Sequence, residues 1–410
     1  MARVLLLLPT TTYRTKAFLD AARRLGVEIV AASELSSAFE SQNPEGLITL
    51  DFLDPARAAR QAARYAREHK IDAVVPVDED TAVAAASVAR AVSLNYNSAR
   101  SATIAKHKRL MRESLKQAGA RVPRFQAFSL DEDPREIAAR VDFPCVIKPV
   151  FLSTSRGVMR ADNEEELAGA LARLDRIVSN PRIARRGGAA SREVLIEEFI
   201  PGFEVAVEGL VSDGRFQMLA IFDKPDPLDG PFFEETIYVT PSRLSDDVQK
   251  SIYDATSEAI RAMGLSRGPI HAELRVNDTG PWVIEVAARA IGGLCSRALR
   301  FDDGASLEEV IIRHALGHDL SSIERETQAA AVMMIPIPRA GVLREVLGVD
   351  DARRVADIED VIITAHITQE IIPPPEGASY LGFIFSRAGT PERAEAAVRE
   401  AHKRIEFIIE

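Results

Sequence analysis

Residues 271–293, HAELRVNDTGPWVIEVAARAIGG, set the reading of the whole chain. Two apolar-rich runs, 270–276 and 282–286, flank Asn277-Asp278-Thr279-Gly280, the composition of an antiparallel hairpin with a tight turn. Strand side chains alternate between faces, so Glu273 shares a face with His271 and Arg275, and Glu285 shares one with Val283, Ala287 and Arg289. Pairing across the turn lets the two carboxylates meet at one point. Carboxylates that close repel each other unless a cation lies between them. Magnesium suits such a place, because it takes oxygen ligands and is usually shared between one or two carboxylates and substrate phosphates. The pattern points towards a nucleotide. An amphipathic hairpin with exposed charges fits the same residues, since short motifs match by chance.

At 410 residues the chain has room for two or three domains with a well-buried core. Helix-period segments such as 55–69 and 246–263 alternate with short apolar runs such as 4–8 and 74–77, so α/β and α+β layering is expected. No segment approaches the roughly 18 uninterrupted apolar residues of a membrane span, and residues 1–8 lack the length and cleavage site of a signal peptide. The expected location is cytoplasmic, with no membrane partner. Cys145 and Cys295 are the only cysteines; they support neither a disulfide framework nor a thiolate metal site, and Cys295 reads as a buried structural thiol. A net charge of −10 opposes binding to nucleic acid through its phosphates.

Residues 2–8 (ARVLLLL) read as a buried strand, followed by Pro9-Thr10-Thr11-Thr12, a helix over 15–25 and a strand over 27–32. This is a parallel βαβ unit with its Thr-rich loop where open sheets place ligands, although no GxGxxG marks a dinucleotide site. Residues 71–77 add a strand, and Asp78-Glu79-Asp80-Thr81 opens a helix whose acidic first turn suits capping and the helix dipole. A helix over 105–119 carries Lys106 and Lys108 near its start. The strand 143–149 (FPCVIKP) carries Lys148, which either snorkels to the surface or binds an anion. In 151–160 (FLSTSRGVMR), Ser153, Thr154, Ser155 and Gly157 offer hydroxyls and N–H groups to a phosphate; a plain turn fits as well. Residues 180–191 (NPRIARRGGAAS) read as a mobile loop. A strand over 194–199 (VLIEEF), a turn at Ile200-Pro201-Gly202 and a returning strand with Glu204 and Glu208 follow. After a strand over 216–222 comes a loop over 223–235, a length that commonly serves function. The final α+β segment opens at 328, with strands over 361–368 and 380–386 and a helix over 391–405.

Taken together, Lys108, Lys148, VLIEEFIPGFE and the Glu273/Glu285 hairpin resemble, in order and spacing, the ATP-grasp superfamily of carboxylate-amine or carboxylate-thiol ligases. The resemblance implies an ATP-grasp fold with an N-terminal Rossmann-like parallel sheet (residues 1–100), a central lid subdomain with a linker helix (101–205), a core with the metal hairpin (206–325) and a C-terminal α+β segment (326–410). It implies ATP and Mg2+ as cofactors, with Mn2+ as a substitute. Lys108 and Lys148 resemble the lysines that contact ATP phosphates, and Ser153, Thr154, Ser155 and Gly157 resemble the loop that closes over them. Glu197, Glu198, Phe199 and Ile200 look like the strand and hinge that hold adenine, and Glu204 like the acid on the ribose. Glu273 and Glu285 match the metal-binding acids, and Arg289 the arginine that stabilises the phosphorylated intermediate.

One departure stands out: the family pattern Glu-x-Asn reads Glu285-Val286-Ala287 here, and alanine offers no oxygen ligand. Within the superfamily the chain looks most similar to L-amino-acid ligases and carnosine-synthase-like enzymes, through His271-Ala272-Glu273, Glu285 to Arg289 with Gly292-Gly293, and Phe233-Glu234-Glu235. On that resemblance His271 orients substrate or intermediate, although a structural histidine fits equally. Glu234 or Glu235 binds a substrate ammonium, or belongs to a solvated loop. The implied partners are a small-molecule carboxylate and amine and, by analogy, a second copy in a homodimer. Ser379-Tyr380-Leu381-Gly382 and the helix from Pro391 also resemble biotin carboxylase and the purine-pathway ligases, which act through carboxyphosphate or formyl phosphate. Ala287 motivates a third reading, a catalytically inactive nucleotide-binding protein.

Overall fold

Val4, Leu5, Leu6 and Leu7 expose no surface, and β1 (Arg3–Leu7) is accordingly an inner strand covered on both faces, as parallel sheets require. The computed structural model describes residues 1–37, 39–40 and 42–410. With β2 (Glu28–Ser33), β3 (Leu47–Thr49) and β4 (Ala73–Pro76), β1 forms a parallel sheet ordered β3-β2-β1-β4. Helix α1 (Thr15–Leu25) connects β1 to β2 and α2 (Pro55–Tyr65) connects β3 to β4, while α3 (Glu79–Ala91) follows β4 and leads out of the sheet. The helix expected over 105–119 is two helices, α4 (Ala99–Lys106) and α5 (Lys108–Gln117). They are separated by His107 in extended conformation, and the Lys108 N–H donates to the Val150 carbonyl at 2.9 Å. That bond satisfies a first-turn donor and ties the linker to the next subdomain.

The lid comprises β5 (Phe125–Ser129), α6 (Pro134–Ala138), β6 (Cys145–Pro149), β7 (Met159–Ala161), α7 (Glu164–Val178), α8 (Pro181–Gly187) and β8 (Glu193–Glu198). Its antiparallel sheet runs β5-β8-β6-β7, with Leu167, Leu171 and Leu174 of α7 in one core with Ile147 and Leu195. Residues 181–187, expected within a mobile loop, are α8. The Asn180 side chain accepts the Arg182 N–H, Pro181 stands at the first helical position and Ile183 is buried, so the local capping outweighs the polar composition.

The core contains β9 (Phe203–Ser212), β10 (Arg215–Lys224), β11 (Ile237–Thr240), α9 (Asp246–Ala262), β12 (Arg267–Asn277), β13 (Gly280–Ala287) and α10 (Leu307–Ala315). Then follow β14 (Ala329–Ile335), β15 (Gly341–Leu347), α11 (Val349–Arg353), β16 (Ile358–Ile363), β17 (Glu370–Ile371), β18 (Gly382–Ala388), α12 (Pro391–His402) and β19 (Glu406–Ile409). One eight-stranded antiparallel sheet, ordered β13-β12-β9-β10-β11-β14-β18-β16, crosses the boundary expected near residue 325. The C-terminal segment continues the sheet beyond β11 and adds the small sheet β17-β15-β19 at its side. No helix is long and apolar enough to cross a membrane among the described residues.

The lid passes into the core at Gly202, whose φ is +128° and whose added Cβ would lie 2.3 Å from the Val276 carbonyl oxygen. Gly202→Ala is expected to cost about 1–3 kcal/mol and lower the thermal midpoint measured by calorimetry. Gly169→Ala, inside α7 with open space around the added carbon, is expected to hold or raise that midpoint.

Candidate active site

The hairpin β12–β13 places Glu273 directly opposite Glu285. Both face a cleft roofed by β6 and β8 of the lid. The cleft wall carries Lys108, Lys148, Thr154, Ser155, Glu197, Glu198, Phe199, Ile200, Glu204, His271, Glu273, Glu285 and Arg289. Ser153 and Gly157 lie in the adjoining loop rather than on the wall. Thr154 and Ser155 take positive φ values of 57° and 52° there, and the Gly157 N–H donates to the Pro375 carbonyl at 2.9 Å.

Carboxylates are packed here at a density that only buried cations can sustain. Oxygens of Glu204, Glu235 and Glu273 all lie within 4.8 Å of one another. The Lys224 ammonium sits among them, 2.7 Å from Glu204, 3.4 Å from Glu273 and in direct contact with Glu235. Burial opposes the charge on Lys224, yet the three acids hold its pKa well above the usual lysine range. Glu235, expected on a substrate ammonium or in a solvated loop, lies on the cleft wall against Lys224, partly exposed, and burial raises its pKa despite Lys224. Burial also opposes ionisation of Glu273, but Lys224 and His271 keep its carboxyl well below the usual range. His271 Nδ1 meets Glu208, and Nε2 lies 3.3 Å from Glu273. Against the effect of burial, these carboxylates raise the imidazole to about 9. Glu208 also accepts the Ile291 N–H at 3.1 Å.

Glu285 takes the Lys108 ammonium at 2.8 Å. Arg289 lies 3.4 Å from Glu79 of the N-terminal domain. The acidic start of α3, read as helix capping, therefore does something else: Asp78 makes no side-chain cap, Glu79 meets Arg289, and Asp80 pairs with Lys106 at 3.2 Å and with Arg186 of the lid. On the lid side, Lys148 lies 2.7 Å from Glu197, and Arg112 of α5 holds the same carboxylate at 2.5 Å. Burial would raise the Glu197 carboxyl; Arg112 and Lys148 lower it to about 2. In the expected adenine hinge, the N–H groups of Glu198 and Phe199 donate to Arg124 and Pro144 carbonyls, so both backbone donors are engaged within the protein.

Lys224, Glu208, Glu79, Met334 and Tyr380 belong to the site without having been assigned to it from the sequence. Strand parity carries part of the missing signal. Glu204 and Glu208 share a face of β9, and β10 runs two residues beyond the strand expected over 216–222, which puts Lys224 on the face of Phe222. Cys295 is buried in the same wall, where desolvation pushes its thiol up, in keeping with an inert thiol. Among the described residues the carboxylates close enough to share an ion are Glu204, Glu235 and Glu273, a hard-oxygen set of the kind Mg2+ takes; of the expected metal pair it includes Glu273 and not Glu285.

The sequence matches the ATP-grasp N-terminal domain over residues 19–94, the ATP-grasp domain over 141–298 and the L-amino acid ligase C-terminal domain 2 over 333–410. The chain belongs to the ATP-grasp family, whose enzymes use ATP and Mg2+. Alanine–anticapsin ligase of Bacillus subtilis (strain 168) is 25% identical over 247 residues, covering 57% of this chain and 51% of its own length. The chain thus matches about half of that relative. Protein y4rH of Sinorhizobium fredii is 23% identical over 411 residues, covering 100% of this chain and 84% of its own. The L-amino acid ligase of Bacillus licheniformis has the same fold, with a TM-score of 0.84 at 24% identity over 100% of this chain and 99% of that one.

Glu197 contributes stability that is present above the ordinary carboxyl pKa of 4.5 and lost as pH falls towards about 2. That contribution is on the order of 3 kcal/mol. Glu197→Gln leaves Arg112 and Lys148 without their carboxylate and is expected to destabilise the neutral protein by about 3–5 kcal/mol. Its unfolding free energy should also change less between pH 4.5 and pH 2, as measured by denaturant titration.

Proposed function

We propose that the chain activates the carboxylate of an amino acid with ATP and couples it to the amine of a second small molecule. The observation that carries this reading is the convergence of Lys108, Lys148, Arg289 and the opposed pair Glu273 and Glu285 on one cleft. A carboxylate is a poor acyl donor because oxide leaves badly. Transfer of the γ-phosphoryl group to a carboxylate oxygen releases ADP and gives an acyl phosphate. The amine attacks its carbonyl carbon, the C–O bond to phosphate breaks, phosphate departs, and the nitrogen loses a proton as the amide forms.

Glu273 and Glu285 would hold Mg2+, which supplies charge neutralisation for the triphosphate. Lys108 and Lys148 bear on the phosphates, and the loop with Ser153, Thr154, Ser155 and Gly157 closes over them. Glu204 is proposed for the ribose. Adenine is proposed to lie against the hinge Glu197, Glu198, Phe199 and Ile200, where the N–H groups of Glu198 and Phe199 and the Ile200 carbonyl are already engaged within the protein. Arg289, steadied by Glu79, offsets charge on the phosphorylated and tetrahedral species. His271, clamped between Glu208 and Glu273, acts as a fixed cation that orients Glu273. The match of residues 333–410 to an L-amino acid ligase domain supports an amide-forming reaction over one that transfers carboxyphosphate or formyl phosphate. A cytoplasmic homodimer completes the proposal, its dimeric state measurable by sedimentation.

Magnesium-dependent phosphate release is to be measured across amino-acid pairs, with bicarbonate and formate wells included and products weighed. Release with a product at the summed mass minus water is expected; release only with bicarbonate or formate would replace this reading by the carboxylate-transfer one. ATP binding without turnover in any well would favour the inactive one. Glu285→Gln is expected to lower turnover by about 100-fold or more. Lys148→Ala is expected to weaken ATP binding about tenfold, and unchanged binding would leave Lys148 solely as a partner of Glu197.

A further inference from the structure

A second cavity of about 140 Å³ lies between the N-terminal sheet and the core and shares no residue with the first. Its walls are β4, the chain leading out of α3, the start of β12 and the end of α10. Val74, Ala89, Ile311 and Leu316 make one side of it apolar. The other side carries the polar side chains of Tyr96 and Arg267. The Tyr96 hydroxyl is buried without a hydrogen-bond partner among the described residues, and burial pushes its pKa up, so it remains a donor. The Arg267 side chain is only 17% exposed, yet its nearest carboxylate, on the 77% exposed Asp213, is 3.8 Å away. The His314 carbonyl lies 3.4 Å from it. Both distances exceed the roughly 2.7–2.9 Å of a charge-assisted hydrogen bond.

Other titratable groups at this place do not neutralise the guanidinium. The Asp72 carboxylate is taken by Lys70 at 2.5 Å and by the Arg3 N–H at 2.9 Å. Burial, reinforced by the charge of Arg267, depresses His314 to about 4, so its ring is neutral and is bonded to the Ser212 hydroxyl at 2.9 Å. A largely buried cation and an unpartnered phenol thus border a cavity whose remaining wall is hydrocarbon. Buried donors of this kind are normally satisfied. A cavity of this size is comparable to engineered ones of about 150 Å³ that accept benzene.

We infer that this cavity binds a small monocarboxylate with a branched apolar body. The carboxylate meets Arg267 and the Tyr96 hydroxyl, and the hydrocarbon fills the space between Val74, Ala89, Ile311 and Leu316. Because the site joins β4 of one domain to β12 of the other, occupancy stabilises their contact. The inference is independent of the reaction proposed for the first cavity.

Calorimetric titration of the full chain with 4-methylpentanoate, and separately with L-leucine, tests it. One equivalent of 4-methylpentanoate is expected to bind and raise the thermal midpoint. L-Leucine is expected to bind more weakly, because Asp72 is already engaged and its ammonium finds no carboxylate. Arg267→Gln and the cavity-filling Ala315→Phe should each weaken binding about tenfold or more. Tyr96→Phe should weaken it less, while Arg289→Gln in the first cavity should leave it unchanged. Circular dichroism checks that each variant folds, and Tyr96→Phe, which removes a single atom, keeps the test decisive if the larger changes disturb the fold. Absence of binding would overturn the inference and leave water as the partner of Tyr96. Binding that survives Arg267→Gln, Ala315→Phe and Tyr96→Phe, or that is lost in Arg289→Gln, would overturn it as well.

Discussion

The contact between Lys224 and the acids Glu204, Glu235 and Glu273 is the constraint around which the cleft is organised. Carboxylates this close, removed from water, cannot all remain ionised without a cation in their midst. Lys224 meets that need from β10, in the sheet itself. His271 does the same between Glu208 and Glu273, and Lys108 does so at Glu285. Each of these acids therefore has a positive partner within the protein, and the cleft is close to electroneutral. A cleft balanced in this way can exchange one cation contact for another without exposing a bare buried charge.

The placement of these groups follows from sheet geometry. β9, β10, β12 and β13 are adjacent antiparallel strands, so Glu204, Glu208, Lys224, His271, Glu273 and Glu285 arrive from four strands on one surface. Extension of the same sheet through β14 and β18 brings Met334 and Tyr380 of the C-terminal segment to the same cleft. The N-terminal domain contributes Glu79 at Arg289, and the linker contributes Lys108 and Arg112. No single segment holds a complete site.

This division explains what could be read from the sequence. The hairpin was legible because a polar turn lies between two apolar runs. Pairing counted from that turn, however, would set Glu285 opposite Ala272. A bulge that leaves Ile284 unpaired shifts the register by one residue and brings Glu285 opposite Glu273, off the face expected to be shared with Val283. The parallel N-terminal sheet was legible from βαβ order, with the short β3 absent from the reading because three residues give no periodicity. Lys224 was lost at a strand end, where boundaries inferred from apolar runs stop two residues too soon. Glu79 was hidden by a local explanation, since an acid at a helix start already suits the helix dipole. Its partner lies in another domain, and no local pattern carries that information. The break at His107 and the short helix α8 depend likewise on a single hydrogen bond and a cap rather than on composition.

The contacts that hold the lid fall into two classes with different consequences. Glu197 with Arg112 and Lys148 is fully enclosed and binds the lid sheet to the linker helix α5. Breaking a buried pair of this kind costs several kcal/mol, about 3–5. The lid meets the core through a backbone bridge at Met159 and Phe232 and the Arg160 N–H on the Pro231 carbonyl, whereas two of its ion pairs to other segments are weaker. Arg186 to Asp80 of the N-terminal domain and Arg173 to Glu376 of the C-terminal segment are partly exposed ion pairs, each worth about 0–1 kcal/mol. The Gly157 N–H to the Pro375 carbonyl adds one backbone hydrogen bond at the phosphate-loop turn. The lid is thus bonded most firmly at α5 and less firmly at Asp80 and Glu376. Lys148 and Glu197 form one bonded unit of the lid, while Lys108, at the head of α5, joins the two sides, its N–H on the Val150 carbonyl and its ammonium on Glu285 of the hairpin.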